Sequence, residues 1–339
     1  MSEDNQQPDP QDFLKDLPVQ AEEIGYKSEE MVLCGNCARA NPPNRLKCMY
    51  CGAELELSAA QSAVLAPVLR KLENWESGFN LIYLPKGENV PAETAAQVAK
   101  FIGLEKDVVQ KIFVAQKQLP VVRTETVKEA EILQNRLWEA GLETSIISDA
   151  QLAADNLPKR LRGLALRDGK ILLILFNNDE IAEISPEDLV LIVSGAIIQK
   201  AVESTEARKK GETKILDATE IASDELLIDI YSKTDSTGYR ILMKGFDFSC
   251  LGAEKGILAR DNIKKLVVKL QSLAPNAKLV DDYFALRSAL GNVWEIELRK
   301  DSQGLTRQRF GKFDLSNVSS SNNLQQFTKY SRLQWHLQK

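Results

Sequence analysis

Histidine and the common catalytic motifs are scarce in this 339-residue chain. His336 is the only histidine, and no Gly-rich phosphate loop, HExxH or GxSxG motif occurs. A mechanism that needs an imidazole base therefore has a single candidate. These absences favour a binding protein over an enzyme.

Long apolar runs are missing as well. The longest uninterrupted one, Ile171–Phe176, is far shorter than the ~20 residues that span a bilayer. The first residues, Met1–Asp4, have neither the basic start nor the apolar core of a secretory signal. We therefore expect a cytoplasmic protein with no membrane partner.

A net positive charge is also lacking, because 48 acidic residues outnumber 43 basic ones and the formal charge is −5. The chain as a whole is therefore not built to coat nucleic acid. Residues 1–30 hold nine acidic and two basic side chains and few large apolar ones. They cannot bury enough surface to offset chain entropy. This composition predicts a disordered acidic leader that serves solubility or competes for a basic surface.

Cysteine is infrequent but concentrated. Four of the five cysteines form two CxxC pairs separated by ten residues, and Cys250 stands alone. Without an export signal, this spacing predicts a metal site and not disulfides. Four thiolates fill the tetrahedral coordination of one Zn²⁺ at about 2.3 Å and leave no open position, so the zinc would be structural. Iron, or four free or redox-active thiols, are the alternatives. The predicted ligands, in a module at residues 31–57, are Cys34, Cys37, Cys48 and Cys51.

The cysteine segment resembles the short bacterial zinc ribbons, which share the pattern CxxC, three residues, Asn-Pro, then CxxC-Gly. Beside the cysteines, the matching residues are Asn41, Pro42 and Gly52. The spacing is also similar to that of the Ran-binding-protein type of zinc finger, but Val32 stands where that family has Trp. That Trp helps to build the surface that recognises single-stranded RNA or ubiquitin. The resemblance therefore implies metal binding and no particular ligand.

Three cations and no anion lie between the first and the last of these cysteines, and Tyr50 could stack on a base. A solvated face is the interpretation that we prefer, and a nucleic-acid surface is the alternative. The cations are Arg39, Arg45 and Lys47.

After the cysteine module, apolar residues recur at helical spacing from Val64 to Trp75, behind a capping-box sequence that begins at Ser58. We predict an amphipathic linking helix over residues 58–77. Its apolar stripe would pack against the domain that follows.

Residues 78–150 predict an α+β domain in the order strand, helix, helix, short strand, helix, strand. This order resembles the C-terminal domain of the bacterial ribosomal stalk protein and, in shape, the adaptor that delivers substrates to the Clp protease. The resemblance implies a docking module without chemistry of its own. It does not imply the stalk family's binding of translation factors, because only Gly103, Lys106 and Lys111 remain of that family's Gly- and Lys-rich helix start. The predicted elements are the strands Phe79–Leu84, Val121–Thr124 and Leu142–Ile147 and the helices Pro91–Phe101, Glu105–Ala115 and Lys128–Ala140.

Residues 156–339 predict a larger mixed α+β domain that begins with a β-meander, in which an Asp168-Gly169 turn sets the register. The meander resembles the first sheet of pleckstrin-like domains in architecture only. Near the end of the chain, Ser316–Asn323 is low in complexity and predicts a flexible loop. The other predicted elements are the strands Leu164–Leu166, Lys170–Phe176, Glu180–Ile184, Leu226–Tyr231, Tyr239–Met243, Val293–Leu298 and Leu305–Phe313 and the helices Asp261–Leu273 and Asp282–Leu290.

The fifth cysteine, Cys250, follows Phe246 and Phe248 in alternation, which is typical of a strand with one buried face. A nucleophilic Cys250 would need His336 as its base and Asp247 to orient that base. We prefer the structural interpretation.

The last segment, Arg299–Lys339, holds eight Lys/Arg residues among aromatic ones. Such a mixture suits a surface that tracks phosphates and stacks on bases. It equally suits a strand pair closed by a terminal segment that docks Trp335 into the core, which we prefer. The aromatic residues are Phe310, Phe313, Phe327, Tyr330 and Trp335.

Together these patterns predict a multidomain α+β protein with a small zinc ribbon, a βααβαβ-like domain and a larger mixed domain. We expect a non-enzymatic scaffold or adaptor that holds one structural Zn²⁺ and binds partner proteins. An RNA- or ribosome-associated protein that uses the knuckles and the basic C-terminal segment is the first alternative. An enzyme that depends on Cys250 is the second.

Overall fold

The structure is a computed structural model, in which helices and strands are mixed as the α+β prediction requires. The chain forms two compact units, Met1–Val68 and Leu69–Lys339. Among the described residues, no helix combines the length and the apolar character needed to cross a lipid bilayer. The predicted acidic leader lies outside the described residues, which are 31–43, 45–56, 69–178, 180–209, 212–309 and 312–338.

The first unit contains the cysteine module, which is built on two short antiparallel strands. β1 (Val32–Leu33) pairs with β2 (Ala40–Asn41). Its buried cluster consists of one valine, one leucine and two of the cysteines. So small a core cannot offset the chain entropy of the module, and a bound metal ion would supply most of the missing free energy.

The second unit begins with the βααβαβ segment, whose elements follow the predicted order. Its three strands form an antiparallel sheet in the order β4-β3-β5. The elements are β3 (Phe79–Tyr83), α1 (Ala92–Ile102), α2 (Lys106–Val114), β4 (Leu119–Thr124), α3 (Val127–Glu139) and β5 (Thr144–Ser148).

Local signals set the ends of these helices. α1 ends at Gly103, whose φ of 71° is the left-handed conformation that glycine adopts at little cost. At the start of α3, the Thr126 hydroxyl accepts a hydrogen bond from the Glu129 amide at 3.2 Å, and the Glu129 carboxylate accepts one from the Thr126 amide at 3.0 Å. This capping box satisfies two main-chain donors and makes the helix start predictable.

The predicted linking helix is wrong over the part that the structure describes. Residues 69–77 are not helical, and residues 58–68 lie outside the described residues. Trp75, expected on the apolar stripe, is 80% exposed. The Arg123 guanidinium donates a hydrogen bond to the main-chain carbonyl of Glu73 at 3.2 Å. This bond holds residues 69–77 against the βααβαβ sheet in a non-helical conformation.

The rest of the second unit is organised around a nine-stranded sheet in the order β13-β14-β9-β10-β11-β6-β7-β8, with β12 beside β9. Its strands are β6 (Lys159–Arg167), β7 (Lys170–Leu175), β8 (Ile181–Ile184), β9 (Leu189–Lys209), β10 (Glu212–Ser232), β11 (Asp235–Leu242), β12 (Lys278–Val280), β13 (Glu297–Arg309) and β14 (Lys312–Asn322). The remaining helices are α4 (Asp149–Leu152), α5 (Ala259–Leu273), α6 (Tyr283–Leu290) and α7 (Leu324–His336).

The two faces of this sheet are covered by different elements. α5 packs on one face in a cluster that includes Ile192 and Ile228. On the other face, α6 and α7 share a single cluster with the βααβαβ segment, and Leu191 and Leu227 belong to it. The predicted domains at residues 78–150 and 156–339 therefore share one hydrophobic core and lie within one compact unit.

The meander was predicted with the correct pairing. β6 pairs with β7 and β7 with β8, all antiparallel. Asp168 and Gly169 have φ values of 51° and 74°, the positive angles that a two-residue type I′ hairpin turn requires. Asp and Gly tolerate these angles, which is why the sequence identifies the turn.

A four-stranded arm extends the sheet beyond its core. The outer half of the β9–β10 hairpin pairs with β14, and β14 pairs with β13. The described residues of the predicted strand Leu305–Phe313 are all in strands, although they belong to two of them, the end of β13 and the start of β14. The prediction of a loop over Ser316–Asn323 is wrong, because this segment is mostly β14. Hydrogen bonding to strands on both sides overrides the low strand propensity of the serine and asparagine run.

The predicted strand at Phe246–Cys250 is also wrong, although its burial was anticipated. A 3₁₀ helix runs over Phe248–Glu254, and the Asp247 carboxylate accepts a hydrogen bond from the Ser249 amide at 2.9 Å at its start. Phe246 and Phe248 are both buried, with their ring centroids 5.0 Å apart in an edge-to-face arrangement. The capping aspartate favours a helical turn over an extended chain.

The C-terminal helix α7 was not predicted, although the docking of Trp335 was. Its apolar residues recur at helical spacing, but the helix is buried on every side, so its polar residues lie in the interior as well. Its polar residues find partners in the interior: Ser331 with the Tyr231 hydroxyl at 2.8 Å and Lys329 with the Asp149 carboxylate at 3.7 Å. The Trp335 ring stacks on Tyr231 at 5.3 Å.

Candidate metal centre

The four predicted cysteines converge in the first unit. The sulfur atoms of Cys34 and Cys51 lie 3.6 Å apart, those of Cys37 and Cys48 lie 3.5 Å apart, and all four lie within 4.8 Å of one another. A tetrahedron with metal–sulfur distances of about 2.3 Å has edges of about 3.8 Å. The cluster could therefore hold one metal ion with four thiolate ligands and little movement.

Tight turns bring each CxxC pair together. The Ala38 amide donates to the Cys34 carbonyl at 2.8 Å, and the Gly52 amide donates to the Cys48 carbonyl at 3.0 Å. Ala38 and Gly52 both have positive φ, at 55° and 73°. Gly52 meets this requirement without strain, which gives a physical reason for the glycine in the ribbon pattern.

Asn41 joins the two pairs. Its side chain is fully buried, its amide nitrogen donates to the Arg39 carbonyl at 2.8 Å, and its carbonyl oxygen accepts from the Met49 amide at 2.8 Å. One side chain thus fixes the first turn against the second. The resemblance identified Asn41 as a match, and the structure supplies its role.

The pKa values of three thiols in this cluster are shifted in different directions. Burial opposes ionisation of Cys48, but main-chain amides of Tyr50 and Cys51 outweigh it and lower the pKa of Cys48 to about 6. The Ala53 amide likewise lowers the pKa of Cys51. For Cys37, the Arg39 amide acts in the same direction but is outweighed by burial and by the other thiols, so its pKa rises to about 12. Amide donors are therefore directed at the second pair, where they stabilise thiolates.

The donor set is chemically specific. Four cysteine sulfurs are soft ligands that suit zinc or iron and not the hard cations that prefer oxygen. Cys34 and Cys48 are buried, Cys37 is partly buried and Cys51 is exposed. Four protein ligands complete a tetrahedral shell, so an ion held here has no position left for a substrate.

The surface of the module carries large apolar side chains. Leu33, Met49 and Tyr50 are between 53 and 69% exposed. The Arg39 guanidinium lies over the Tyr50 ring, 4.7 Å from its centroid. We call Leu33, Met49 and Tyr50 the ribbon apolar residues. Sequence reasoning had selected Tyr50 for base stacking and had missed Leu33 and Met49, because exposure of an isolated apolar residue has no signature in a single sequence.

The structure does not bring together Cys250 and His336, the nucleophile and base of the catalytic alternative. Cys250 packs against the cluster on the α5 face of the sheet, whereas His336 ends the helix that packs on the opposite face. Asp247 is engaged by the Ser249 hydroxyl at 2.6 Å. Burial raises the pKa of the Cys250 thiol, which makes it a poorer nucleophile.

The basic and aromatic C-terminal segment is divided between the core and the arm. Phe327, Tyr330 and Trp335 are buried in α7, and so are its two cations Lys329 and Arg332. These five residues cannot track a phosphate backbone. Of the other aromatic residues, Phe310 lies outside the described residues.

No protein-family model, no curated protein and no solved structure matches this chain. The resemblances to zinc ribbons and to the stalk-protein domain therefore stay predictions, carried by the residues quoted for them. What the structure establishes at this site is a four-cysteine cluster that could hold a metal ion.

Proposed function

We propose that this protein is a non-enzymatic, cytoplasmic adaptor whose ribbon holds one structural Zn²⁺ and binds a partner protein through its apolar residues. The observation that carries the proposal is the four-cysteine cluster beside exposed Leu33, Met49 and Tyr50. A closed metal site supplies shape and not chemistry. What it shapes here is a small surface suited to protein contact.

The distribution of apolar residues supports this role. Among the described residues of the module, three large apolar side chains are buried and three are exposed; the buried ones are Val32, Leu46 and Leu55. A domain that served only its own stability would bury its large apolar side chains first. Exposed aromatic and methionine side chains are also enriched in protein interfaces.

The βααβαβ segment supports a second docking surface in the same adaptor. Its element order is that of the stalk-like modules which it resembles, and those modules bind other proteins. The segment shares its core with the rest of the second unit. We therefore propose it as a rigidly mounted docking module.

Affinity capture of the full chain from its own cells tests the proposal. Leu33→Asp with Met49→Asp should release the partner while the purified protein still contains one zinc ion per chain. Cys34→Ser with Cys37→Ser should lose both the zinc and the partner. Zinc content is measured by elemental analysis of the same preparations.

The matched control places two aspartates on exposed apolar residues of the second unit, as Ile257→Asp with Leu258→Asp. These positions are 102% and 64% exposed. The control should retain the partner. An unchanged set of partners in the ribbon variants would contradict the adaptor role of the ribbon, and iron in place of zinc would contradict the metal assignment.

An RNA-binding role is the alternative, and the Arg39–Tyr50 stack favours it, because such a platform can accept a base. It predicts that the intact chain binds single-stranded RNA with an affinity that falls steeply as salt rises. Tyr50→Ala should then weaken binding. This alternative also assumed that the basic C-terminal segment binds nucleic acid. Five residues of that segment are buried, so they do not support it.

A further inference from the structure

A pair of large apolar side chains projects from the second unit immediately before α5. Ile257 is 102% exposed and Leu258 is 64% exposed, so neither side chain is covered by the fold. Val268, on α5 itself, is 69% exposed. Adjacent apolar side chains that are left at a surface mark a site of contact with a protein or a membrane.

A buried asparagine holds this apolar pair in place. The Asn262 side chain is 3% exposed; its carbonyl oxygen accepts a hydrogen bond from the Gly256 amide at 2.7 Å, and its amide nitrogen donates to the Gly256 carbonyl at 2.9 Å. On the other side of the pair, the Leu258 carbonyl accepts hydrogen bonds from the Asp261 and Asn262 amides, both at 3.1 Å. Hydrogen bonds therefore fix the chain on both sides of Ile257, and its exposure belongs to an ordered turn.

The outer face of α5 carries cations. The inner face packs on the sheet through buried residues that include Leu266. Arg260 and Lys264 are exposed, and no partner of either side chain lies among the described residues. Residues four apart on a helix lie one above the other, so Arg260, Lys264 and Val268 form a line along the face that points away from the sheet. We call the following residues the α5 surface: Ile257, Leu258, Arg260, Lys264 and Val268.

The neighbourhood of the α5 surface is positive although the chain is acidic. Glu254–Lys269 holds five basic and two acidic residues, against a net charge of −5 for the whole chain. Lys265 and Lys269 donate hydrogen bonds to main-chain carbonyls at 2.8 and 2.6 Å, which leaves their charges in place. Lys255 lies 3.5 Å from the Asp247 carboxylate and contributes less. The local excess of positive charge attracts an anionic partner.

The residue types of the α5 surface favour a lipid bilayer over other partners. Residues 254–273 contain no aromatic side chain. Surfaces that bind single-stranded nucleic acid stack aromatic side chains on bases, and protein interfaces are enriched in aromatic anchors. A peripheral membrane surface instead needs apolar side chains that enter the bilayer and cations that meet anionic headgroups. The expectation of no membrane partner came from the lack of a spanning segment, which a surface that lies on a bilayer does not need.

We propose that the second unit binds the surface of an anionic lipid bilayer through the α5 surface. Ile257 and Leu258 enter the boundary between headgroups and acyl chains, and Arg260 and Lys264 contact the anionic headgroups. The proposal uses only residues of the second unit, so it does not depend on the ribbon or on the adaptor role.

Sedimentation of the full chain with lipid vesicles tests the proposal. At about 0.1 M salt, the chain should bind phosphatidylcholine vesicles that contain about one-third phosphatidylserine, and it should bind vesicles of phosphatidylcholine alone at least about tenfold more weakly. At about 1 M salt, where the screening length falls from about 10 to about 3 Å, the affinity for the anionic vesicles should fall severalfold.

Two double variants separate the charged and the apolar parts of the surface. Arg260→Gln with Lys264→Gln should weaken binding to the anionic vesicles about 25-fold, because each cation near such a membrane contributes about fivefold. Ile257→Ser with Leu258→Ser changes no charge and should weaken binding at least about tenfold. All four positions are exposed, and far-ultraviolet circular dichroism verifies that the variants are folded.

Matched controls make the same kinds of change at exposed positions elsewhere in the second unit. Lys106→Gln with Lys111→Gln removes two exposed cations of α2. Val114→Ser with Val127→Ser removes two apolar side chains that are 69% and 44% exposed. Both controls should bind the vesicles like the parent.

A parent chain that does not sediment with anionic vesicles at low salt would overturn the proposal. So would α5 variants that bind like the parent, or controls that lose binding to the same extent. Binding of single-stranded RNA that depends on Arg260 and Lys264, without any binding of vesicles, would assign these cations to nucleic acid and would also refute the proposal.

Discussion

The buried ion pair between Asp229 and Arg240 ties the large sheet to the C-terminal helix. Asp229 on β10 is fully buried, and Arg240 on β11 is 4% exposed. The guanidinium Nε and one terminal nitrogen each donate to a carboxylate oxygen at 2.7 Å, and a further hydrogen bond reaches the Thr328 hydroxyl on α7 at 3.1 Å. Burial opposes the charge of Arg240, but Asp229 outweighs it and raises the pKa of Arg240 above its ordinary value.

Asp229→Leu should destabilise the second unit strongly, because it leaves a buried guanidinium without its counter-charge. Removing one partner of a buried pair costs about 3–5 kcal/mol. Arg240→Met should cost a similar amount, since it strands the carboxylate. The double variant removes both charges, and its main remaining loss is the bond to Thr328, worth about 1 kcal/mol. We therefore expect it to be within about 2 kcal/mol of the parent.

Urea unfolding measures these free energies, followed by the fluorescence of Trp294 and Trp335, both buried in the second unit. The exposed pair Lys170–Glu183, with a nitrogen–oxygen distance of 2.9 Å, is the control, and breaking it should cost no more than about 1 kcal/mol. Losses that simply add in the double Asp229/Arg240 variant would refute the reasoning. The two charges would then stabilise the fold independently.

Three other predictions concern the ribbon, the packing of α7 and acid stability. Cys34→Ser should abolish stoichiometric metal binding but leave the thermal unfolding of the second unit unchanged, as shown by elemental analysis and calorimetry. Gly195→Ala should destabilise by about 1–3 kcal/mol in urea, because the new Cβ would lie 2.3 Å from the Phe327 ring. For Asp282, burial is outweighed by hydrogen bonds that include one from Lys117, so its pKa lies below 3.8. Its stabilisation is present above that ordinary value and is lost as pH falls through the lowered one. Asp282→Asn should therefore cost about 1–3 kcal/mol at pH 7, and the cost should shrink progressively as urea titrations are repeated at lower pH.

The elements that were predicted correctly have their determinants close by in sequence. Gly103 ends α1 because of its own backbone freedom, and Thr126 begins α3 through a residue three positions away. The Asp168-Gly169 turn is likewise a property of two residues. The cysteine cluster was predictable for the same reason, since thiol chemistry and spacing alone define it.

The elements that were predicted wrongly have determinants that lie far away in sequence. Ser316–Asn322 is a strand because β9 and β13 hydrogen-bond to it, and neither partner is visible from the segment itself. The polar residues of α7 are buried because their partners come from distant elements, such as Asp149, and these partners are not visible from the segment itself. Residues on both sides of the predicted boundary between residues 150 and 156 pack in one hydrophobic cluster, which the sequence does not reveal. Long-range pairing and burial decided these cases, and local propensity did not.

Most of the C-terminal side chains that suggested a catalytic or nucleic-acid-binding role pack in the interior of the fold. Lys329 and Arg332, which supported a phosphate-binding segment, are buried and pair with the Asp149 carboxylate and the Asn156 carbonyl instead. Cys250 and His336 belong to elements on opposite faces of one sheet, and the other four thiols form a cluster that could hold a metal ion. The ribbon apolar residues remain accessible to a partner. They are suited to binding another polypeptide through apolar contact, and they lie in the first compact unit. Substitutions of these residues should therefore leave the urea unfolding of the second unit unchanged, so the role of the ribbon can be tested in the full-length chain.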